Sequence, residues 1–242
     1  MKRTRHAIET FEPLTEKTPF SYLEAFKTFR TNVEFVTSTD NCKAIMMSSA
    51  LSGEGKTTAS INLAIALAQN GKRVVICDCD LRKPKVQRYL RIKTPAQNGV
   101  STVLSGSCSL DNAIGYVEEM GIYVMLSGPI PPNPTELLSS DRAKAMIEEL
   151  KSKFDYVICD SPPVAIVADA LAFSKFVDGC ILVVRQNYAF QHDIKECLNK
   201  LKMVDANMLG VMLNNYDVKA DSNYKYDKYY SYSDANYYGT KK

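Results

Sequence analysis

The chain has 242 residues, of which 45% are hydrophobic and 24% charged, with a formal net charge of +3. That composition is globular, and the near balance of charge argues against a dedicated nucleic-acid binder, which would carry a strongly basic face. The apolar runs, such as 180–184, are far too short to cross a bilayer, and no signal-peptide core follows the basic start, so the protein is expected to have no direct membrane span.

Residues 1–20 are polar and include Pro13 and Pro19, which reads as an extended arm. Ser21 followed by Glu24 has the form of a helix cap with its capping-box partner. Leu23, Phe26, Phe29, Val33 and Phe35 then recur at near-helical spacing, predicting an amphipathic helix to about residue 36. Strands are predicted at 44–48, 74–77, 123–126, 156–159, 180–184 and 209–213. Helices are predicted at 57–70, 141–153, 169–176 and 191–204. Continuous apolar strands alternating with helices imply an α/β fold, a doubly wound, mostly parallel sheet with helices on both faces. Seven cysteines lack a CxxC pair, and Cys77, Cys159 and Cys180 sit in apolar strands, as buried reduced thiols do.

Ser49-Ala50-Leu51-Ser52-Gly53-Glu54-Gly55-Lys56-Thr57-Thr58 follows a strand and opens a helix, the setting a phosphate-binding loop requires. Glycines let the backbone approach phosphate oxygens, and amides at the helix start point toward them. Ser52 to Thr58 would hold ATP, Lys56 reaching the β- and γ-phosphates and the Thr57 hydroxyl holding Mg²⁺. Ala50 replaces the first glycine of the usual pattern, and Gly53 restores some of the freedom lost there.

Two further strands run into aspartates, at Asp78-Cys79-Asp80 and at Asp160-Ser161-Pro162-Pro163. Strand carboxyl ends face the ligand crevice of an open α/β sheet, so Asp78, Asp80 and Asp160 can converge on the nucleotide. Asp78 and Asp80, two apart, would point the same way in extended chain, one as base toward a hydroxyl and the other toward the metal. Asn214, just past the last strand, is a candidate adenine contact, and Arg185 serves either the ligand or the strand end.

After Asn215 aliphatic residues almost vanish, and residues 216–242 are expected to be disordered because they cannot bury enough surface. Tyr224, Tyr226, Tyr229, Tyr230, Tyr232, Tyr237 and Tyr238 lie there, half of the 14 tyrosines. Beside an ATP site they are accessible phosphate acceptors. From Asp217 onward five lysines face four aspartates, a net of +1. Full modification, at roughly −1.5 to −2 per phosphate, would take the tail to about −10. Such a tail is expected to be repelled by the acidic groups of the site.

These motifs together identify the chain as resembling the bacterial tyrosine kinases (BY-kinases) that regulate capsular and exopolysaccharide synthesis, in the form split into a kinase and a separate transmembrane activator. Residues 50–58 resemble the family's Walker A motif, 74–82 its Walker A′, and 157–163 its Walker B; Gly128 to Leu138 is similar to a further typical segment. The resemblance implies a kinase domain over 21–215 that uses Mg-ATP to phosphorylate the tail in trans within a ring-like homo-oligomer. It implies Lys56, Asp78, Asp80 and Asp160 as the catalytic set. Asp78 would be the base, and Thr57, Asp80 and Asp160 would surround Mg²⁺. It further implies activation by a cytoplasmic segment of the transmembrane partner, resetting by a tyrosine phosphatase, and a cytoplasmic location at the inner face of the membrane. Glu24, Lys27 and Arg30 match an ExxRxxR subunit-contact motif, with lysine where arginine is usual and hence without the bidentate fork. Ser52 stands where proline is common. The rival on the same fold is a partitioning or positioning ATPase of the ParA/MinD kind. That class carries a signature lysine where this chain has Leu51.

Overall fold

The structure is a computed structural model that describes residues 13–15, 17–38 and 42–217. The expected disordered tail and its tyrosines, and most of the expected arm, lie outside the described residues.

Seven strands form one sheet: β1 (Ala44–Ser49), β2 (Val74–Asp78), β3 (Ile114–Val117), β4 (Ile122–Met125), β5 (Tyr156–Asp160), β6 (Gly179–Arg185) and β7 (Met208–Asn214). Their spatial order is β3-β4-β2-β5-β1-β6-β7. Every pairing is parallel except the β3–β4 hairpin at one edge. The architecture is thus the doubly wound, mostly parallel α/β sheet of the P-loop NTPases.

The alternation of side chains along a strand explains the two cores. On β1, Ala44 and Met46 face one core with Val75, Cys77, Val157, Cys159 and Leu182. Ile45 and Met47 face the other with Val74, Ile76, Ile158 and Val183. The first core is closed by α7 (Asp141–Lys153), α8 (Asp169–Ser174) and α9 (Gln191–Met203), the second by α1 (Phe20–Ser38) and α2 (Lys56–Gln69). Because both faces are covered, the central strands are apolar throughout, and Cys77, Cys159 and Cys180 are buried thiols.

Four short helices absent from the sequence reading occupy the connections: α3 (Val86–Tyr89), α4 (Val100–Ser105), α5 (Leu110–Ala113) and α6 (Pro134–Leu138). The start of α1 also differs from expectation. It begins at Phe20, so Ser21 lies inside the helix, and Glu24 pairs with Lys27 at 2.7 Å instead of closing a capping box. Pro19, with no N–H to leave unpaired, supplies the carbonyl for Tyr22 and Leu23. Leu14, within the stretch read as an arm, is buried, and its amide donates to Asn62 Oδ1 on α2 at 3.2 Å. Among the described residues no helix is long and apolar enough to cross a membrane.

Candidate active site

The loop between β1 and α2 turns at two glycines with positive φ, Gly53 at 97° and Gly55 at 87°, a region other residues enter only with strain. Three distant groups hold it in that shape. The buried Glu54 carboxylate accepts from the Leu51 amide at 2.7 Å and the Arg185 amide at 3.4 Å. Asn214 donates from Nδ2 to the Glu54 carbonyl at 2.8 Å. Tyr188, beyond β6, donates its hydroxyl to the Ser52 carbonyl at 2.9 Å, and Arg185 lies 5.5 Å over its ring. A Cβ on Gly55 would come within 2.1 Å of Asn214 Nδ2, so the loop closes only with glycine there.

Lys56 and Thr57 begin α2 and point at the carboxyl end of the sheet. The Lys56 ammonium lies 3.2 Å from Asp160 Oδ1 and 3.4 Å from Asp80 Oδ2. The Thr57 hydroxyl donates to Asp160 Oδ2 at 2.7 Å. Asp160 ends β5 directly beside β1 and opposite Asp78 on β2, so parallel pairing brings the three motifs together.

The two aspartates of the second motif part company. β2 ends at Asp78, and the Cys79 amide still donates to the Asp160 carbonyl at 2.8 Å, so both aspartates stay at the carboxyl end of the sheet but take different partners. Asp78 is wholly buried and accepts the amides of Lys85 and Val86, each at 3.0 Å, and of Asp80 at 3.3 Å. It shapes the loop. Asp80 faces Lys56 and lines an open cavity of about 180 Å³.

One lysine therefore answers three carboxylates. Burial, reinforced by the charge of Asp160, pushes Asp78 up to about 7. Burial also raises Asp160, although Lys56 and the Thr57 hydroxyl oppose it. For Lys56 burial works the other way, but Asp160, Asp80 and Asp78 outweigh it and raise its pKa. This surplus of buried negative charge, beside a loop of positive-φ glycines at a helix start, fits a divalent cation carried by a polyphosphate. Among the described residues no three carboxylate, thiol or imidazole groups form a ready-made metal cage.

Of the residues expected to bind nucleotide, Ser52, Gly53, Gly55, Lys56, Thr57 and Thr58 line the cavity. The Glu54 side chain and Asn214 do not; both brace the loop from behind. The opposite wall was not anticipated as part of the site: Arg82, Lys83, Lys85 and Tyr89 on one side, with Pro162, Pro163, Ile166 and Val167 on the other. Arg82 is fixed by a two-bond pair with the buried Asp169, at 2.7 and 3.0 Å. Glu24, Lys27 and Arg30 lie on α1. Arg30 turns toward α2, reaching the Ala66 carbonyl at 3.5 Å and Glu34 at 3.6 Å, and its Nε is buried with no hydrogen-bond partner among the described residues.

Comparison with known proteins agrees with this geometry. Residues 42–213 match a family described as an AAA domain. The chain is 36% identical to the tyrosine-protein kinase YwqD of Bacillus subtilis over 203 residues, 84% of this chain and 85% of that one. The kinase domain of Escherichia coli tyrosine kinase ETK superposes with a TM-score of 0.79 at 28% identity, covering 92% of this chain and 89% of that one. The septum site-determining protein MinD of Pyrococcus horikoshii, complexed with Mg-ADP, superposes with a TM-score of 0.61 at 26% identity, over 72% and 70% of the two chains. The shared ATPase scaffold is present in both, but the phosphate loop, its paired acidic motifs and the similarity over most of the chain's length place this protein among the bacterial tyrosine kinases.

Proposed function

We propose that this chain binds Mg-ATP in the cavity and transfers the γ-phosphoryl group to the tyrosines of its own kind, Tyr224 to Tyr238, between copies of a homo-oligomer. The observation that carries the reading is Lys56 held between Asp160 and Asp80 at the mouth of a glycine-rich loop. Phosphoryl transfer asks for positioning and charge neutralisation more than for covalent chemistry, and this arrangement offers both.

The loop amides would hold the phosphates, and Lys56 would exchange its contacts with the carboxylates for contacts with phosphate oxygens. Thr57 and Asp160 would hold Mg²⁺, whose charge would stabilise the transferring group, leaving the Asp80 carboxylate free of the metal. An acceptor tyrosine entering the cavity meets Asp80, whose carboxylate can take the phenolic proton as the phosphoryl oxygen bond forms and ADP leaves. Asp78 meets the acceptor only if its three amide bonds break, so in this conformation it acts through the loop that carries Asp80. That shifts the role of base, expected at Asp78, toward Asp80, since a base must first be within reach.

The same reading gives the chain a role in regulating capsular or exopolysaccharide synthesis and export, next to the inner membrane face. A transmembrane activator would recruit it and a tyrosine phosphatase would reset it. Support for this comes from the resemblance of the motifs. The α1 positions Glu24, Lys27 and Arg30 would form the subunit contact, a reading supported by the resemblance of the motif.

The test mixes two full-length chains with Mg-ATP and the activator's cytoplasmic segment. One carries Lys56→Met and an intact tail, the other an intact site and phenylalanine at all seven tail tyrosines. Phosphotyrosine on the Lys56→Met chain is expected. ATP hydrolysis with no phosphotyrosine on either chain would favour the partitioning-ATPase reading.

A further inference from the structure

The outer wall of the cavity contains more than phosphate and metal require. Pro162, Pro163, Ile166 and Val167 present an apolar surface, with Ile166 57% exposed and open to a guest. A ring gains from such a wall and triphosphate and magnesium do not, and Asn214, the expected adenine contact, does not line this cavity, so the ring the wall suits is an acceptor phenol. Beside it stand four cations. Arg82 is already answered by Asp169, and Lys56 by Asp160 and Asp80. Lys83 and Lys85 are different: neither ammonium forms a hydrogen bond or ion pair among the described residues. Their backbone is nevertheless fixed, the Lys83 amide on Asp80 Oδ1 and the Lys85 amide on Asp78 Oδ2, each at 3.0 Å, with Pro84 between them. Two lysines whose ammonium groups have no partner among the described residues are thus anchored by their backbone at the rim of an apolar slot.

We infer that this wall is the acceptor subsite, and that Lys83 and Lys85 select tyrosines flanked by negative charge in the tail of a second copy of this chain. The inference rests on the proposed kinase reading and names its substrate class. Tyr232, with Asp234 two residues on and no lysine nearer than Lys228, has the required form; Tyr224 and Tyr226, which share Lys225 as a neighbour, do not. A phosphate already on Tyr229 or Tyr237 would supply the same charge to its neighbour Tyr230 or Tyr238. Modification would then promote further modification at this rim, opposite to the repulsion that the tail's charge alone suggested.

The experiment measures binding of two fluorescent peptides to the full chain with Mg²⁺ and a non-hydrolysable ATP analogue. Both carry a central tyrosine, one flanked by aspartates and one by lysines. Wild type is expected to bind the acidic peptide about threefold to tenfold more tightly, a preference that shrinks in high salt. Lys83→Glu with Lys85→Glu is expected to reverse it, and Lys83→Gln with Lys85→Gln to abolish it. Lys72→Glu with Lys144→Glu, the same change in net charge on other surfaces, is expected to retain it. Equal affinities in wild type, or a preference that survives the Lys83 and Lys85 changes, would overturn the inference. So would a loss of ATP-analogue affinity in those variants with the peptide preference intact, since the lysines would then serve the nucleotide. Because binding is read with an analogue that cannot transfer, a peptide preference here together with no phosphotyrosine in the Mg-ATP mixing test would sink the kinase reading and leave the peptide site standing.

Discussion

Replacing Lys56 by methionine tests the electrostatic core of the site independently of catalysis. The ammonium lies within 3.4 Å of two carboxylates, one of them fully buried, and Asp78 lies close enough to raise its pKa as well. Methionine keeps most of the volume and removes the charge, so three acidic groups lose the cation they share. Breaking a buried pair in this way costs about 3–5 kcal/mol, and the lower end applies here because the Thr57 hydroxyl still donates to Asp160. For a chain of this size each kcal/mol moves Tm by about 2–4 °C, which predicts a fall of about 6–12 °C for the nucleotide-free protein. The orphaned carboxylates recover part of the loss by taking up protons. The deficit should therefore be smaller at about pH 5.5 than at about pH 8. Thermal unfolding of both proteins at the two pH values gives the answer. An unchanged Tm at the higher pH, or a deficit that grows on acidification, would refute the description of Lys56 as the counter-ion of this cluster.

Gly55→Ala should abolish ATP-analogue binding while leaving the far-UV circular dichroism unchanged, because its Cβ would meet Asn214 Nδ2 at 2.1 Å with φ at 87°. Tyr188→Phe removes only the hydroxyl on the Ser52 carbonyl, a bond worth about 1 kcal/mol, so the KM for ATP should rise about fivefold with kcat nearly unchanged. Asp178 accepts the amides of Lys43 and Ala44 at 2.9 and 2.8 Å and the Lys151 ammonium at 2.6 Å. Burial alone would raise its pKa, but these donors outweigh burial and lower it. With the folded value below the unfolded one, the stability it gives is complete above the ordinary carboxylate range and is lost as pH falls through that range and below. Wild type and Asp178→Asn should thus differ in Tm at neutral pH and converge in acid.

The sheet was legible because its central strands are apolar on both faces and punctuated by recognisable helices. The β3–β4 hairpin was only half legible, since Ile114–Val117 is a four-residue edge strand containing glycine and its periodicity is too short to count. In the site, Lys56, Thr57 and Asp160 were readable because local chain context fixes where each points. Asp78 and Asp80 were placed at the right strand end, but their different partners, the Lys85 and Val86 amides for one and Lys56 for the other, arise from the chain beyond the strand, which a two-residue spacing does not show. Tyr188 was invisible for a different reason: it meets Ser52 across 136 residues, and no local pattern marks such a pair. Asn214 was placed at the right end of the sheet, but its bond to the Glu54 carbonyl, made across 160 residues, left no local mark. Nothing local in the sequence marks Lys83 and Lys85; the fold sets them in the same cavity as Pro162 and Pro163.

The most direct measurement is the fate of the γ-phosphate when the full chain is incubated with γ-labelled ATP, Mg²⁺ and the activator's cytoplasmic segment. The account predicts label on tyrosines of the 224–238 segment, lost in Asp80→Asn and in Asp160→Asn. Label recovered only as free phosphate, or undiminished transfer in either variant, would contradict it.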